Sequence, residues 1–449
     1  MTDEGPRHPR IEQRSLLLRG GAGSGLDLAG LPRDVIGAIE LPLRRAADEQ
    51  PLLNAARRDR LGIVLSGEAW RNQLDPGARG DGFAALPYAQ PRALSLERGS
   101  LAPAALADYA EAFLDAQLAA GATLATTPAH LFERELEQGR EGDLALARAT
   151  IAAWRERQGW RPPPQRPDDP PRELYAGIAV RATTLAGAST ADPRAADPRA
   201  SDSDPIPALI ERYAPLGVDG YWLTVVELDD SRARLGAVAA LALGLQEASG
   251  RPVVVAGAGD AATTLLASGL AAACTDVHMS REQGFAISSP SSGSARPSRK
   301  GTGATVTAFA LPVFHPAILG MLPPGAAAED ARTRLFATEP CRCGEHVAFE
   351  PPRTRRETLA HNAWWLAAEA REATGLLPVF DEARLAARRQ RAERMRERLG
   401  LPPLPAGWAA VAAAAAQVRA GAIRPAARAS GGASAPRGPA EPGGGLRAL

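Results

Sequence analysis

The stretch Val218–Met279 reads VDGYWLTVVELDDSRARLGAVAALALGLQEASGRPVVVAGAGDAATTLLASGLAAACTDVHM, and its changing hydrophobic period decides the fold class. Val218 to Val226 is a short, nearly continuous apolar run, which suits a strand covered on both faces. Ala233 to Ala248 spaces its apolar residues as a helix does, Pro252 to Ala256 is strand-like again, and Ala261 to Leu270 is helical. Cys274 to Met279 begins the next strand. Strands that alternate with helices of about 10–15 residues build parallel βα units.

The same rhythm runs upstream. Leu61 to Leu65, Gly121 to Thr126 and Leu174 to Val180 read as strands; Leu106 to Ala120, Leu144 to Gln158 and Ile206 to Tyr213 read as helices. So many units within one domain of roughly 300 residues favour a closed (β/α)8 TIM-type barrel over an open doubly wound sheet. No phosphate-binding G-x-G-x-x-G or P-loop follows an early strand, and Gly257-x-Gly259 lacks the third glycine.

The chain has 449 residues, 45% hydrophobic and 23% charged, a composition typical of globular proteins. A net charge of +1 gives no global case for a polyanionic partner, so any nucleic-acid surface must be local. Residues 1–14 are charged, contain proline and lack the apolar core of a secretory signal, and no run of 18 uncharged apolar residues occurs. The expectation is a cytoplasmic protein without a membrane partner. Residues 1–14 read as a flexible tail, 15–400 as the barrel with its metal site, and 401–449 as a low-complexity tail. From about Ala409 that tail drifts into Ala, Gly, Pro and Arg. The repeat Ala191-Asp-Pro-Arg-Ala, Ala196-Asp-Pro-Arg-Ala and the segment Ser288 to Gly303 read as loops.

Two of the three cysteines fall in Glu339-Pro340-Cys341-Arg342-Cys343-Gly344-Glu345-His346, and His361-Asn362 follows after fourteen intervening residues, on a helical run to about Ala373. Three cysteines are too few for a disulfide framework. Thiolate and imidazole donors at such close spacing suit Zn2+, which takes four ligands tetrahedrally. With Cys341, Cys343, His346 and His361 all supplied by protein, the expected site is structural.

These residues resemble a known family. C-x-C-x-x-C followed by a helical His-Asn pair, attached to a (β/α)8 barrel, is the zinc signature of the queuine and archaeosine tRNA-ribosyltransferases, the tRNA-guanine transglycosylases. Cys341, Cys343 and His361-Asn362 match it; His346 stands where the family has its third cysteine, an exchange zinc tolerates. Asp219-Gly220-Tyr221 resembles the family's D-G-Y strand, Pro252 to Gly269 its strand-helix-G segment, Leu174 to Arg181 its F-G-I-V-Q strand, and Ile63 to Trp70 its D-S-G-G-F strand. The likeness covers about 61–375.

The resemblance implies exchange of guanine in tRNA or DNA for a 7-deazaguanine base, with one carboxylate attacking the ribose and another moving protons. Dimers, of like or unlike subunits, are common among relatives. The sequence departs from the family where chemistry resides. Leu65 precedes Ser66-Gly67, Cys274 holds the nucleophile position, and the stretch Leu223 to Glu227 after Asp219-Gly220-Tyr221 lacks the two glycines of the family's substrate loop. Asp276, two residues beyond Cys274 and so on the same strand face, is the expected nucleophile, and Glu68 the expected acid or base. Asp219, Tyr221 and Glu227 are the expected substrate contacts, with His130 and His278 as further candidates. Arg353, Arg355 and Arg356, and a helix from Asp381 to Leu399 with seven arginines against four acids, are the expected phosphate contacts. A catalytically inactive nucleic-acid-binding subunit and an unrelated barrel enzyme are the alternatives.

Overall fold

The computed structural model describes residues 15–20, 28, 31, 34–73, 79, 82–89, 103–131, 138–159, 172–186, 205–228, 231–276, 311–322, 328–375, 382–404 and 407–421. Eight parallel strands close into a barrel in chain order: β1 (Ser15–Arg19), β2 (Ile36–Pro42), β3 (Gly62–Ser66), β4 (Leu124–Thr126), β5 (Glu173–Arg181), β6 (Gly220–Val226), β7 (Val253–Ala256) and β8 (Ala272–Asp276). The seam lies between β8 and β1, where Leu17 pairs with Cys274 and Arg19 with Asp276. The closed ring confirms the barrel over the open sheet.

Helices α1 (Gln50–Arg58), α2 (Pro103–Ala119), α3 (Gln138–Gly159), α4 (Ala182–Leu185), α5 (Pro205–Tyr213), α6 (Arg232–Ser249) and α7 (Ala262–Ala267) join the strands. A hairpin of β9 (Val313–His315) and β10 (Gly320–Leu322) follows, then α8 (Glu329–Thr338), α9 (Arg355–Gly375), α10 (Glu382–Arg398) and α11 (Gly407–Arg419).

Strand alternation divides the core in two. Leu17, Ala38, Val64, Leu124, Tyr175, Trp222, Val254 and Ala272 fill the barrel interior, large rings beside small alanines, while Leu16, Leu18, Ile63, Leu65, Tyr221, Leu223 and Val225 join the core under the helices. Gly220 permits this filling, because a Cβ there would lie 2.6 Å from the Tyr175 ring and 2.8 Å from the Pro252 carbonyl. Ser231 caps α6 by accepting from Arg234 N–H, and Gly250 ends it in the left-handed region at φ +64°.

Two differences from the sequence reading stand out. The strands β1 and β2 and the β9–β10 hairpin were not expected. The tail expected from residue 401 contains α11, which packs on α6 and buries Val411, Ala414, Ala415 and Val418. Alanine is the strongest helix former, and Gly236 on α6 lets Ala410 approach closely. Residues 1–14 and 422–449 lie outside the described residues.

Candidate metal centre and barrel mouth

The metal centre is built from a loop and a helix. The Cys341 N–H donates to the Ala348 carbonyl at 2.7 Å and closes the loop on itself, and Gly344 turns it at φ +76°. Helix α9 supplies His361. The four donor atoms of Cys341, Cys343, His346 and His361 lie within 4.8 Å of one another, so the cluster can hold a metal ion. Cys341 Sγ is 3.2 Å from Cys343 Sγ and 3.3 Å from His361 Nδ1, and His346 Nε2 is 2.9 Å from His361 Nδ1.

Surrounding groups aim these donors. The Nε2–H of His361 donates to the Phe314 carbonyl at 2.7 Å and that of His346 Nδ1 to the Val347 carbonyl at 2.9 Å, which turns the other ring nitrogen of each toward the sulfurs. Trp365 Nε1–H and the Cys343 N–H donate to Cys341 Sγ, and the Glu345 N–H to Cys343 Sγ. The hydrogen bond from Cys343 is the chief reason that Cys341 ionises far more readily than an ordinary thiol, against the opposing effect of burial. Asn362 ties α9 to the hairpin by accepting from Phe314 N–H at 2.9 Å and donating to the Pro312 carbonyl at 3.0 Å.

At the C-terminal ends of β1 to β3 lies a second constellation. Glu40 on β2 is fully buried; it accepts from the Ser66 hydroxyl, pairs with Arg19 Nε at 3.2 Å, and lies 3.9 Å from Cys274 Sγ. Glu68 follows β3 with its backbone in the left-handed region at φ +46°. Arg71 grips its carboxylate twice, at 2.8 and 3.1 Å, Arg44 reaches it at 3.0 Å and Arg19 at 3.3 Å. Burial alone raises the Glu68 carboxyl, but Arg71, Arg19 and Arg44 outweigh it and hold the group below the usual carboxylate range. At neutral pH it is an anion and a poor proton donor. Across the mouth Arg181, ending β5, pairs with Glu227 at 2.6 Å, and Thr183 donates to the same carboxylate at 3.1 Å. Glu227 is also left-handed, at φ +57°.

The turn carrying Glu68 is braced from behind. Tyr88 donates to the Gly67 carbonyl at 2.6 Å, and Asn72 donates to Tyr109 Oη at 3.0 Å. His130 belongs to this packing: it is fully buried, its Nδ1–H donates to Asp143 at 2.7 Å, and its ring lies 6.2 Å from that of Tyr109.

Of the expected site residues, Glu68 and Glu227 reach the mouth. Asp276 ends β8 beside Arg19 in register, two residues from buried Cys274; its side chain lies outside the described residues, as does His278. Asp219 and Tyr221 do not reach the mouth, which corrects their reading as substrate contacts. Both precede or begin β6, at the opposite end of the barrel. Asp219 accepts from Leu174 N–H at 2.9 Å, and buried Tyr221 donates toward the Tyr213 and Ala214 carbonyls. Glu40 was missed, although one carboxylate inside the apolar run Ile36–Leu41 is the signal of a buried, paired charge.

The basic clusters separate by partner. Arg388 pairs with Glu369 and Glu372 on α9, and Arg396 donates to the Ile318 and Pro402 carbonyls, so both are structural. Arg353, Arg355 and Arg356 are exposed at the start of α9, where Arg353 pairs with Glu350; Arg391, Arg394 and Arg398 are exposed on α10. A cavity of about 350 Å3 opens beside the candidate metal loop, lined by Arg342, Trp365, Glu369, Arg388 and Arg391. No helix among the described residues is long and apolar enough to cross a membrane. Compared with known proteins, the chain matches no protein-family model and no curated protein.

Proposed function

We propose that this chain is a transglycosylase-like protein that exchanges guanine in tRNA or DNA for a 7-deazaguanine base, with zinc in the Cys341, Cys343, His346, His361 centre. One observation carries the reading: the C-x-C-x-x-H loop and the helical His361-Asn362 pair meet on the flank of a closed barrel. The conformation of Glu68 adds to it. In the resembling D-S-G-G-F motif the position of Glu68 is glycine, and Glu68 keeps a left-handed φ of +46° that glycine adopts freely.

Zinc fits the donor set. Bonds of about 2.3 Å to sulfur and 2.0–2.1 Å to nitrogen place tetrahedral ligands roughly 3.3–3.8 Å apart. The separations of Cys341, Cys343 and His361 are 3.2–3.5 Å and that of His346 from His361 is 2.9 Å, with all four donors within 4.8 Å, a spread that closes to that spacing around one ion. Bound zinc supplies cross-linking between the loop and α9, not a reactive position.

The chemistry belongs to the mouth. A carboxylate oxygen bonds to ribose C1′ as the bond from C1′ to guanine N9 breaks, and the incoming base reverses the step after guanine leaves. The target nucleotide must first leave its stack. Asp276 shares the pleat phase of Cys274 and is the nucleophile in this reading, with Glu40 as the second carboxylate. Glu68, anionic among three arginines, serves electrostatics in place of proton transfer. The exposed arginines beside the metal loop and along α10 hold the polymer's phosphates.

A second reading, a catalytically inactive nucleic-acid-binding subunit, is favoured by Leu65 and Cys274 at the positions where the family carries aspartates. Exchange of labelled guanine on tRNA and duplex DNA separates the two, run beside Asp276→Ala and Glu40→Gln, with binding followed by gel shift. Exchange abolished by Asp276→Ala supports the first; binding without exchange supports the second. Protein that binds neither polymer and holds no stoichiometric zinc sinks both.

A further inference from the structure

Three guanidiniums from three separate segments converge on one carboxylate. Arg19 comes from the end of β1, Arg44 from the turn after β2, and Arg71 from the turn after β3; all make contact with Glu68 at 2.8–3.3 Å. We propose that this nest is an oxyanion site for a phosphate group, and that Glu68 occupies it when no ligand is bound. The inference stands apart from the base-exchange reading.

The cluster has the chemistry of an oxyanion site. Four N–H contacts from three guanidiniums meet the Glu68 carboxylate, with Arg19 shared with Glu40 at 3.2 Å, and a phosphate presents more acceptor oxygens and up to two negative charges to the same donors. Glu68 is also placed there against its backbone preference, since a left-handed φ is unfavourable for a residue with a Cβ. Its carboxylate is 3% exposed, while the guanidinium side chains are 13–15% exposed and reach the solvent side of the nest. The nest lies at the C-terminal ends of barrel strands, the face on which (β/α)8 proteins place their ligand sites.

Two of the arginines keep their positions without Glu68. Arg71 donates to the Arg79 carbonyl at 3.1 Å and lies 4.7 Å above the Trp70 ring. Arg19 is held by Glu40 at 3.2 Å. Loss of Glu68 therefore leaves a preformed pair of guanidiniums with Arg44 beside them. Arginine forks match phosphate geometry, and preorganisation removes much of the entropic cost of binding.

Glu68→Gly is the decisive variant, because glycine takes the left-handed conformation freely and removes the resident anion. Full-length protein is titrated with inorganic phosphate by calorimetry and followed by thermal melting, against sodium chloride at equal ionic strength. The expected result is phosphate binding at least about tenfold tighter in Glu68→Gly than in the wild type, with a melting temperature that phosphate raises and chloride does not. Adding Arg71→Met to Glu68→Gly should abolish the gain. A Glu68→Gly protein that is folded but gains no phosphate affinity overturns the proposal, as does one that melts early in chloride and is not rescued by phosphate. Competition then identifies the source: displacement of phosphate by a short single-stranded oligonucleotide points to a nucleic-acid backbone, displacement by ribose 5-phosphate alone to a phosphorylated small molecule. Displacement by neither also overturns it.

Discussion

The Nε2 of His361 lies 2.7 Å from the carbonyl oxygen of Phe314, and this contact fixes which ring nitrogen faces the two cysteines. A hairpin far from the metal loop in sequence thereby orients a ligand on α9. The hairpin is itself held by Asn362, the neighbour of His361. Asn362→Ala removes no donor atom yet should weaken metal affinity by about 10- to 100-fold, the usual effect of losing an orienting partner. Titration against a competing chelator measures it. Unchanged affinity would show that the hairpin does not orient the ligand.

Glu369 makes stability depend on pH. Burial pushes its carboxyl up to about 7, against the attraction of Arg388. In the unfolded chain the group ionises near about 4.3, so between that value and 7 the native state keeps a proton the unfolded chain has released. Stability contributed by the protonated group is thus full at low pH, falls as pH rises through this window, and levels off above it. Glu369→Gln should flatten the profile and exceed the wild type above neutrality, by at most about 4 kcal/mol. Melting temperature against pH for both proteins tests the sign; parallel profiles would refute it.

Gly67 has no room for a side chain unless its neighbours move. A Cβ there would lie 2.3 Å from two carbons of the Phe113 ring and 3.2 Å from Tyr88 Oη. Gly67→Ala must move a buried aromatic ring and should cost about 1–3 kcal/mol, the range for overpacking. Because Glu68 is the next residue, the same variant should disturb the arginine nest. Urea unfolding gives the cost, and a loss below about 0.5 kcal/mol would mean that the ring yields freely.

Tyr221→Phe tests the placement of that residue away from the mouth. The hydroxyl lies 3.0 Å from both the Tyr213 and Ala214 carbonyls, holding the end of α5 against β6. Its removal should cost about 1 kcal/mol of stability and leave phosphate and nucleic-acid binding as in the wild type. Lost binding in a fully folded variant would return Tyr221 to the site.

The sequence is explicit where elements are long and periodic. The βα alternation through β3 to β8 follows from hydrophobic period alone, and the Cys341, Cys343, His346, His361 cluster that can hold a metal ion follows from the rarity and spacing of cysteine and histidine. The elements that escape notice are short or broken. Strand β1 is the five residues SLLLR, and β2 sets Gly37, Glu40 and Pro42 among its apolar residues, so neither shows a clean period. Glu40 is hidden with its strand, since a lone carboxylate gains meaning only once the ring closes and brings Ser66 and Cys274 beside it. Asp219 and Glu227 bracket the same strand, yet residues ahead of a parallel strand lie at the far end of the barrel from residues that follow it. Motif likeness does not apply that rule; strand direction does.

The seam has a consequence for biosynthesis. Residues 15–19 wait without their second neighbour until residues 272–276 have left the ribosome. The hairpin, the metal loop and α9 are translated later still, and α9 then packs across α7 and β1 next to the seam. The ring cannot close until its eighth strand has been made, and α9 arrives as a strap over a joint already formed. A nascent chain stalled ahead of Ala272 would carry an open sheet with two unpaired edges, the state in which a barrel protein most needs a chaperone.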